Sequence, residues 1–299
     1  MRLIVLVLVV VGIACGGQVE EEWTLMTADD ALALPQPEPD FRIPYGGNLL
    51  QFGELRLPEG IGPFPVVIVI HGGCWLAEYD LGYMSAFAAA ITEMGVATWS
   101  IEYRRMGDDG GGWPGTFEDV ADAADYLSEI SILYDLDLNR VGAVGHSAGG
   151  HLALWLAGRK WLDGEDPLRG DAPISLNGVV SLAGIPDLAA YASDEGCGSV
   201  VSGLVGGDSS EYAERLQRAS PINLVPFGID MSMVIGDLDH IVPASQAHDF
   251  AAAARDMGDV VEVIAIPNTG HFELINPSKP AFGIIRTKVR QATVPPFTE

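Results

Sequence analysis

Residues Gly145-His146-Ser147-Ala148-Gly149 form a Gly-x-Ser-x-Gly motif between the apolar run Val141–Val144 and an alanine- and leucine-rich helical pattern. A strand-turn-helix of this kind projects a serine hydroxyl into the open, where it can attack an acyl carbon. Glycines are required because the backbone is crowded at such a turn. The helix that follows aims its positive N-terminus at the serine and favours a developing anion. A plain glycine-rich connection is the competing reading. The flanking strand and helix patterns favour a nucleophile at Ser147.

A serine hydroxyl is a weak nucleophile unless a base takes its proton and an acid orients that base. Six histidines are available. His71 lies in an early glycine-rich loop, His146 adjoins the serine, His151 is a turn into the next helix, and His248 is mid-helix. His240 directly follows an acid. Only His271, in Pro267-Asn268-Thr269-Gly270-His271, occupies a loop after the last strand, where it could meet both partners. The acid comes from Gly236-Asp237-Leu238-Asp239. Asp239 is preferred, and Asp237 is assigned to capping the turn. The order is then Ser147, Asp239, His271.

The same chemistry needs backbone N–H donors for the oxyanion. One belongs to the residue after the nucleophile, Ala148. Others are expected from the loop His71-Gly72-Gly73-Cys74-Trp75, with His71 as a hydrogen-bonded scaffold residue. Trp75 and His146 are candidates for the substrate pocket, and ordinary packing is the alternative reading for Trp75. The mechanism requires no cofactor and no metal.

These loops must be positioned by an alternation of strands and helices. Leu49–Pro58 alternates like a half-buried strand, and Pro65–Ile70 is a β-branched run typical of a strand buried on both faces. Gly95–Tyr103, Arg140–Gly145, Asn177–Gly184, Met231–Gly236 and Val260–Pro267 read as further strands. Thr116–Ile130, the stretch from Ala148, Ser245–Met257 and the C-terminal segment read as helices. Such alternation predicts an α/β fold with a mostly parallel sheet covered on both faces. The candidate residues all fall at carboxyl ends of strands, where sites in such sheets lie.

On these motifs the sequence resembles the α/β-hydrolase superfamily over essentially all of residues 41–295. Within it the chain is most similar to the esterase/lipase branch with HGGxW and GxSAGG motifs, which includes carboxylesterases and feruloyl-esterase-like and kynurenine-formamidase-like proteins. Ile101–Arg105, Trp113–Val120 and Ala219–Pro226 sit where such proteins carry similar segments. The resemblance implies Gly73, Cys74 and Ala148 as the oxyanion-hole donors, and Cys74 departs from the third glycine of many relatives. It also implies that residues 184–230 form a short cap over the pocket, with no long amphipathic helix. That cap holds Cys197, so a Cys74–Cys197 disulfide would tie it to the oxyanion loop. Free buried thiols are the alternative.

Composition bounds the rest. Forty-one acidic against 16 basic residues give a formal net charge of −25, which argues against nucleic acid or an anionic membrane surface as partner. Met1-Arg2, the apolar run Leu3–Ala14 and the small residues that follow read as an export signal over residues 1–15. Its ending, Val11-Gly12-Ile13-Ala14-Cys15, resembles a bacterial lipobox with Cys15 as the lipidated residue. Gly12 departs from that pattern. The expected location is therefore the cell envelope, through an N-terminal lipid anchor, or otherwise the periplasm or the medium. Residues 16–40, acidic and proline-rich, read as an extended tether, and residues 41–299 as one domain. The leading functional reading is a serine hydrolase of small carboxylic esters. An amide-cleaving relative and a non-catalytic binding lipoprotein are the alternatives. The oligomeric state is left open.

Overall fold

In the computed structural model, residues 24–193 and 196–294 are described. The expected export signal, Cys15 and the first part of the expected tether lie outside the described residues.

Eight strands, β1 (Phe41–Pro44), β2 (Phe52–Arg56), β3 (Phe64–Ile70), β4 (Ala97–Ile101), β5 (Leu136–His146), β6 (Gly178–Leu182), β7 (Asp230–Gly236) and β8 (Val261–Ile266), form one sheet in the order β1-β2-β4-β3-β5-β6-β7-β8. The pairings β1–β2 and β2–β4 are antiparallel and the rest parallel. The α-helices are α1 (Ala28–Leu32), α2 (Ser85–Thr92), α3 (Gly115–Asp125), α4 (Leu127–Ile130), α5 (Ala148–Gly158), α6 (Leu188–Tyr191), α7 (Val201–Val205), α8 (Ser209–Ala219), α9 (Ser245–Asp256) and α10 (Ala281–Ala292).

The β-branched strands are buried on both faces because each face carries its own core. Val66, Ile68 and Ile70 of β3 belong to one core with Phe117 of α3, Leu152 of α5 and Phe250 of α9. Val67 and Val69, pointing the other way, pack with Phe87 of α2 and Ile285 of α10. This period-two division is what a sheet sandwiched between two helical layers requires.

Register brings the candidate loops together. Ile70 pairs with Gly145, so the loop from His71 and the turn at Ser147 leave the sheet side by side. Gly236 pairs with Ile266, which does the same for the loops of Asp239 and His271.

Two expectations are corrected. Residues 24–40 were expected to be an extended tether, but their described part is a strap packed on the domain. Thr27 and Asp30 form a reciprocal capping box that starts α1, an arrangement that satisfies free N–H groups at a helix start. Ala31 is buried against Tyr83, Met84 and Leu274. The Arg56 guanidinium donates to the Pro37 carbonyl at 2.8 Å, and the Leu57 N–H to Asp40 at 2.7 Å. A few apolar and carbonyl anchors suffice to dock the strap, and the proline-rich composition conceals them. The second correction concerns residues 184–230, which contain an 11-residue amphipathic helix, α8. Its start is capped by Asp208 with Glu211. It does not line the cavity described next.

Candidate active site

Ser147 stands at the end of β5 with φ +56° and ψ −120°, a left-handed conformation that costs energy for a residue with a Cβ. Its N–H donates to the Leu182 carbonyl at 2.8 Å, which fixes the turn against β6. The flanking glycines are sterically required. A Cβ on Gly145 would lie 2.0 Å from the Gly149 carbonyl oxygen, and one on Gly149 would lie 2.1 Å from the Ile70 oxygen. Both obstacles are backbone and cannot swing away.

Ser147 and His271 open into one cavity of about 380 Å³. His271 Nδ1 lies 2.7 Å from Asp239 Oδ2, so the ring donates from Nδ1, and in a neutral imidazole that tautomer makes Nε2 the acceptor. The other oxygen, Asp239 Oδ1, accepts the N–H groups of Ile241 at 2.8 Å and Val242 at 3.0 Å. Burial alone would raise the Asp239 carboxyl. The hydrogen bond and charge of His271 and these two N–H groups outweigh it and hold the carboxyl below its usual range. Asp237 instead accepts the Thr269 N–H at 3.3 Å.

The loop after β3 contributes Gly73 and Cys74 to the same cavity. Gly73 has φ +102°, and a Cβ there would meet Tyr79 Cβ at 2.3 Å. Cys74 is bonded to Cys197, with Cα atoms 5.1 Å apart. Ala148 is the first residue of α5, where backbone N–H groups lack helical partners. His71 is buried behind this loop. Its Nε2 lies 3.2 Å from Glu102, and its ring stacks on Tyr103 at 4.4 Å. Tyr103 donates to the His71 carbonyl at 2.8 Å, and Arg105 pairs with Glu102 at 2.9 Å. The segment Ile101–Arg105 is thus the buttress of the glycine-rich loop. For Glu102, burial pushes the carboxyl up, but His71, Arg105 and the Leu81 N–H together hold it below its usual range.

Two pocket candidates are corrected. Trp75 is fully buried, and its indole N–H donates to His151 Nδ1 at 3.1 Å. It belongs to the core because the φ of +58° turns the chain back inward after Cys74. His146 is also fully buried. Its Nε2 donates to the His271 carbonyl at 3.0 Å, and its Nδ1 accepts from the Tyr83 hydroxyl. Burial and the neighbouring His271 hold its pKa well below the usual value, so it is neutral. His146 supports the loop of His271 from beneath and does not face the cavity.

Sequence reasoning missed the cavity's remaining walls: Leu25 to Ala28 of the strap, Tyr79 and Tyr83, Phe272, and His240 with Ile241. It also missed Glu273, whose two oxygens accept the N–H groups of Met26 and Gly270 at 2.5 and 3.1 Å. Only His240 carried a signal, its adjacency to Asp239. Among the described residues no group of histidine, cysteine and carboxylate side chains could hold a metal ion.

Comparison with known proteins bears on the fold and the family. The chain is similar to a truncated carbohydrate esterase from gut microbiota, with 25% identity and a TM-score of 0.71, covering 85% of this chain and 95% of that one. Esterase B from Lactobacillus rhamnosis shares the fold at 20% identity with a TM-score of 0.73, over 88% of this chain and 90% of that one. Among curated proteins, neutral cholesterol ester hydrolase 1 of Rattus norvegicus is 37% identical over 91 residues, 29% of this chain and 22% of that protein. The chain thus matches only about a fifth of that relative's length. The family model BD-FAE matches residues 55–253, about two thirds of the chain. The chain belongs to the BD-FAE family, hydrolases of esterase type on the α/β-hydrolase fold.

Proposed function

We propose that the protein is a serine hydrolase of small carboxylic esters, with Ser147 as nucleophile, His271 as base and Asp239 as the acid that orients it. The observation that carries this reading is the 2.7 Å contact from Asp239 to His271 Nδ1, in a cavity that His271 shares with a strained, glycine-flanked serine. His271 Nε2 takes the Ser147 proton as Oγ bonds to the acyl carbon. The carbonyl oxygen becomes an anion held by backbone N–H groups of Gly73, Cys74 and Ala148. Collapse breaks the ester bond, and His271 returns the proton to the departing alkoxide. Water, deprotonated by the same nitrogen, then attacks the acyl-enzyme and releases the acid.

Export is part of the reading. The Cys74–Cys197 disulfide is of the kind that persists in oxidising compartments.

The test is hydrolysis of p-nitrophenyl acetate and butyrate by protein lacking residues 1–15, with Ser147→Ala in parallel. The expected result is turnover that falls by about 10⁵-fold or more in the variant. Turnover that survives the substitution would move the chemistry away from Ser147. Faster cleavage of N-formylkynurenine than of any ester would replace the ester reading by an amidase.

A further inference from the structure

The segment that reads as a tether forms part of the active-site cavity. Leu25, Met26, Thr27 and Ala28 line the same space as Ser147 and His271. The strap is fixed there at several points. The Glu273 carboxylate accepts the Met26 N–H with one oxygen and the Gly270 N–H, next to His271, with the other. The Asn276 amide contacts Met26 Sδ at 3.4 Å. A Cβ placed on Gly270 would lie 3.4 Å from the Leu25 methyls, so Leu25 packs directly on the base's loop. Ala31 plugs the strap into the core one helical turn further on.

The lining sets the chemistry of what binds. Among the described residues that line the cavity there is no Asp, Glu, Lys or Arg. A charged substrate group would lose its hydration there without gaining a counter-ion. The net charge of −25 also disfavours anionic substrates. The volume, about 380 Å³, is near the lower end for small-molecule sites.

We infer that the strap is a specificity element: Leu25 and Met26 receive the apolar group of a small uncharged ester, a short alkyl chain or a ring, and Glu273 holds them in register with His271. The inference rests on the ester-hydrolase reading for the reaction, but the binding it describes is measurable without turnover. Glu273 is a positioning residue here, since it touches the strap and the loop and does not line the cavity.

The experiment measures kcat/KM for p-nitrophenyl acetate, butyrate, hexanoate and octanoate in the wild type, Leu25→Ala, Met26→Ala, the double variant, Met26→Trp and Glu273→Gln. Asp29→Ala, an exposed strap residue outside the cavity, is the control. Removing the wall should raise the octanoate-to-butyrate ratio about tenfold in the double variant, the scale of a few methylenes in an apolar pocket. Met26→Trp should lower the ratio. Glu273→Gln, which can accept at only one of the two N–H groups, should move it upward, and Asp29→Ala should leave it unchanged. If the double variant does not fold, the single variants carry the same comparison.

Binding of p-nitrophenyl butyrate to Ser147→Ala protein, followed by calorimetry, gives the second readout. Leu25→Ala or Met26→Ala in that background should weaken it threefold or more. Ratios within twofold of wild type in all wall variants, with Ser147-dependent turnover intact, would overturn the strap inference and leave the esterase reading standing. An enzyme that turns over no ester would overturn that reading instead. The strap inference would then be decided by binding: weakening in the wall variants supports it, and unchanged or undetectable binding overturns it.

Discussion

His146 Nε2 donates to the backbone carbonyl of His271 at 3.0 Å, so the residue before Ser147 supports the loop that presents His271. The nitrogen on the other side of the same ring is held by Tyr83. A neutral imidazole is the only form that can donate at one nitrogen and accept at the other, and burial keeps it neutral. Tyr83→Phe removes the hydroxyl and leaves His146 Nδ1 buried without a donor. The expected cost is about 1–3 kcal/mol of folding stability, with a lowered kcat as the loop of His271 loosens. Denaturant unfolding and steady-state kinetics on one ester check both effects.

Asp239 fixes the tautomer of His271, and its carboxyl is held below the usual range. Asp239→Asn keeps the shape but lets the amide donate toward Nδ1. The ring then carries its proton on the wrong nitrogen. The expected fall in kcat is about 10³–10⁴-fold with the fold intact. A circular-dichroism spectrum like that of the wild type, together with wild-type turnover, would remove Asp239 from the mechanism.

The Cys74–Cys197 bond joins two segments 123 residues apart in sequence. Cys197→Ala should cost about 2–5 kcal/mol. Because Cys74 lies in the loop proposed to bind the oxyanion, kcat should fall as well, with KM changing less. Reduction by dithiothreitol should reproduce both effects in the wild type and neither in the variant.

Acid should destabilise the protein in two stages. His151 is fully buried between the Trp75 indole N–H and the Ala219 carbonyl, and burial pushes its pKa down to about 4 from an ordinary 6.5. Below pH 6.5 the unfolded chain binds a proton that the folded one refuses, so stability falls as pH drops toward 4. The slope is about 1.4 kcal/mol per pH unit for each such histidine, and His146 adds to it. The Glu102 carboxyl, depressed from an ordinary 4.5, contributes stability above that value that is lost as pH falls through its lower folded pKa. Denaturation curves from pH 7 to 3 should show both limbs. His151→Gln should flatten the first. Glu102→Gln should lower stability at pH 7 by about 1–3 kcal/mol, by taking a charged partner from His71 and Arg105 while Asp108 still pairs with Arg105 at 3.1 Å, and flatten the second.

Much of the fold was legible in local patterns. The β-branched run at Val66–Ile70 and the Ser147 turn follow from steric rules acting over a few residues. The loops after β7 and β8 follow from the strand-helix alternation. β1 was missed because it is a short, largely exposed edge strand with no buried alternation to read. Residues 24–40 were misread because acidic and proline-rich composition outweighs a handful of anchors in any local window.

By itself, then, the sequence singled out Ser147, Asp239 and His271 as the candidate chemistry-bearing residues, and determined the strand ends that carry them. Turn sterics and hydrophobic periodicity are encoded in neighbouring residues. Only the tertiary structure decided which groups meet at long range: Cys74 with Cys197, Glu102 with His71, and Glu273 with Met26, 247 residues away. It also decided that Trp75 and His146 turn inward, while Leu25 and Met26 reach the cavity. Those outcomes depend on strand register and on which surfaces are left to bury once the sheet has closed, and no local stretch of sequence contains that information.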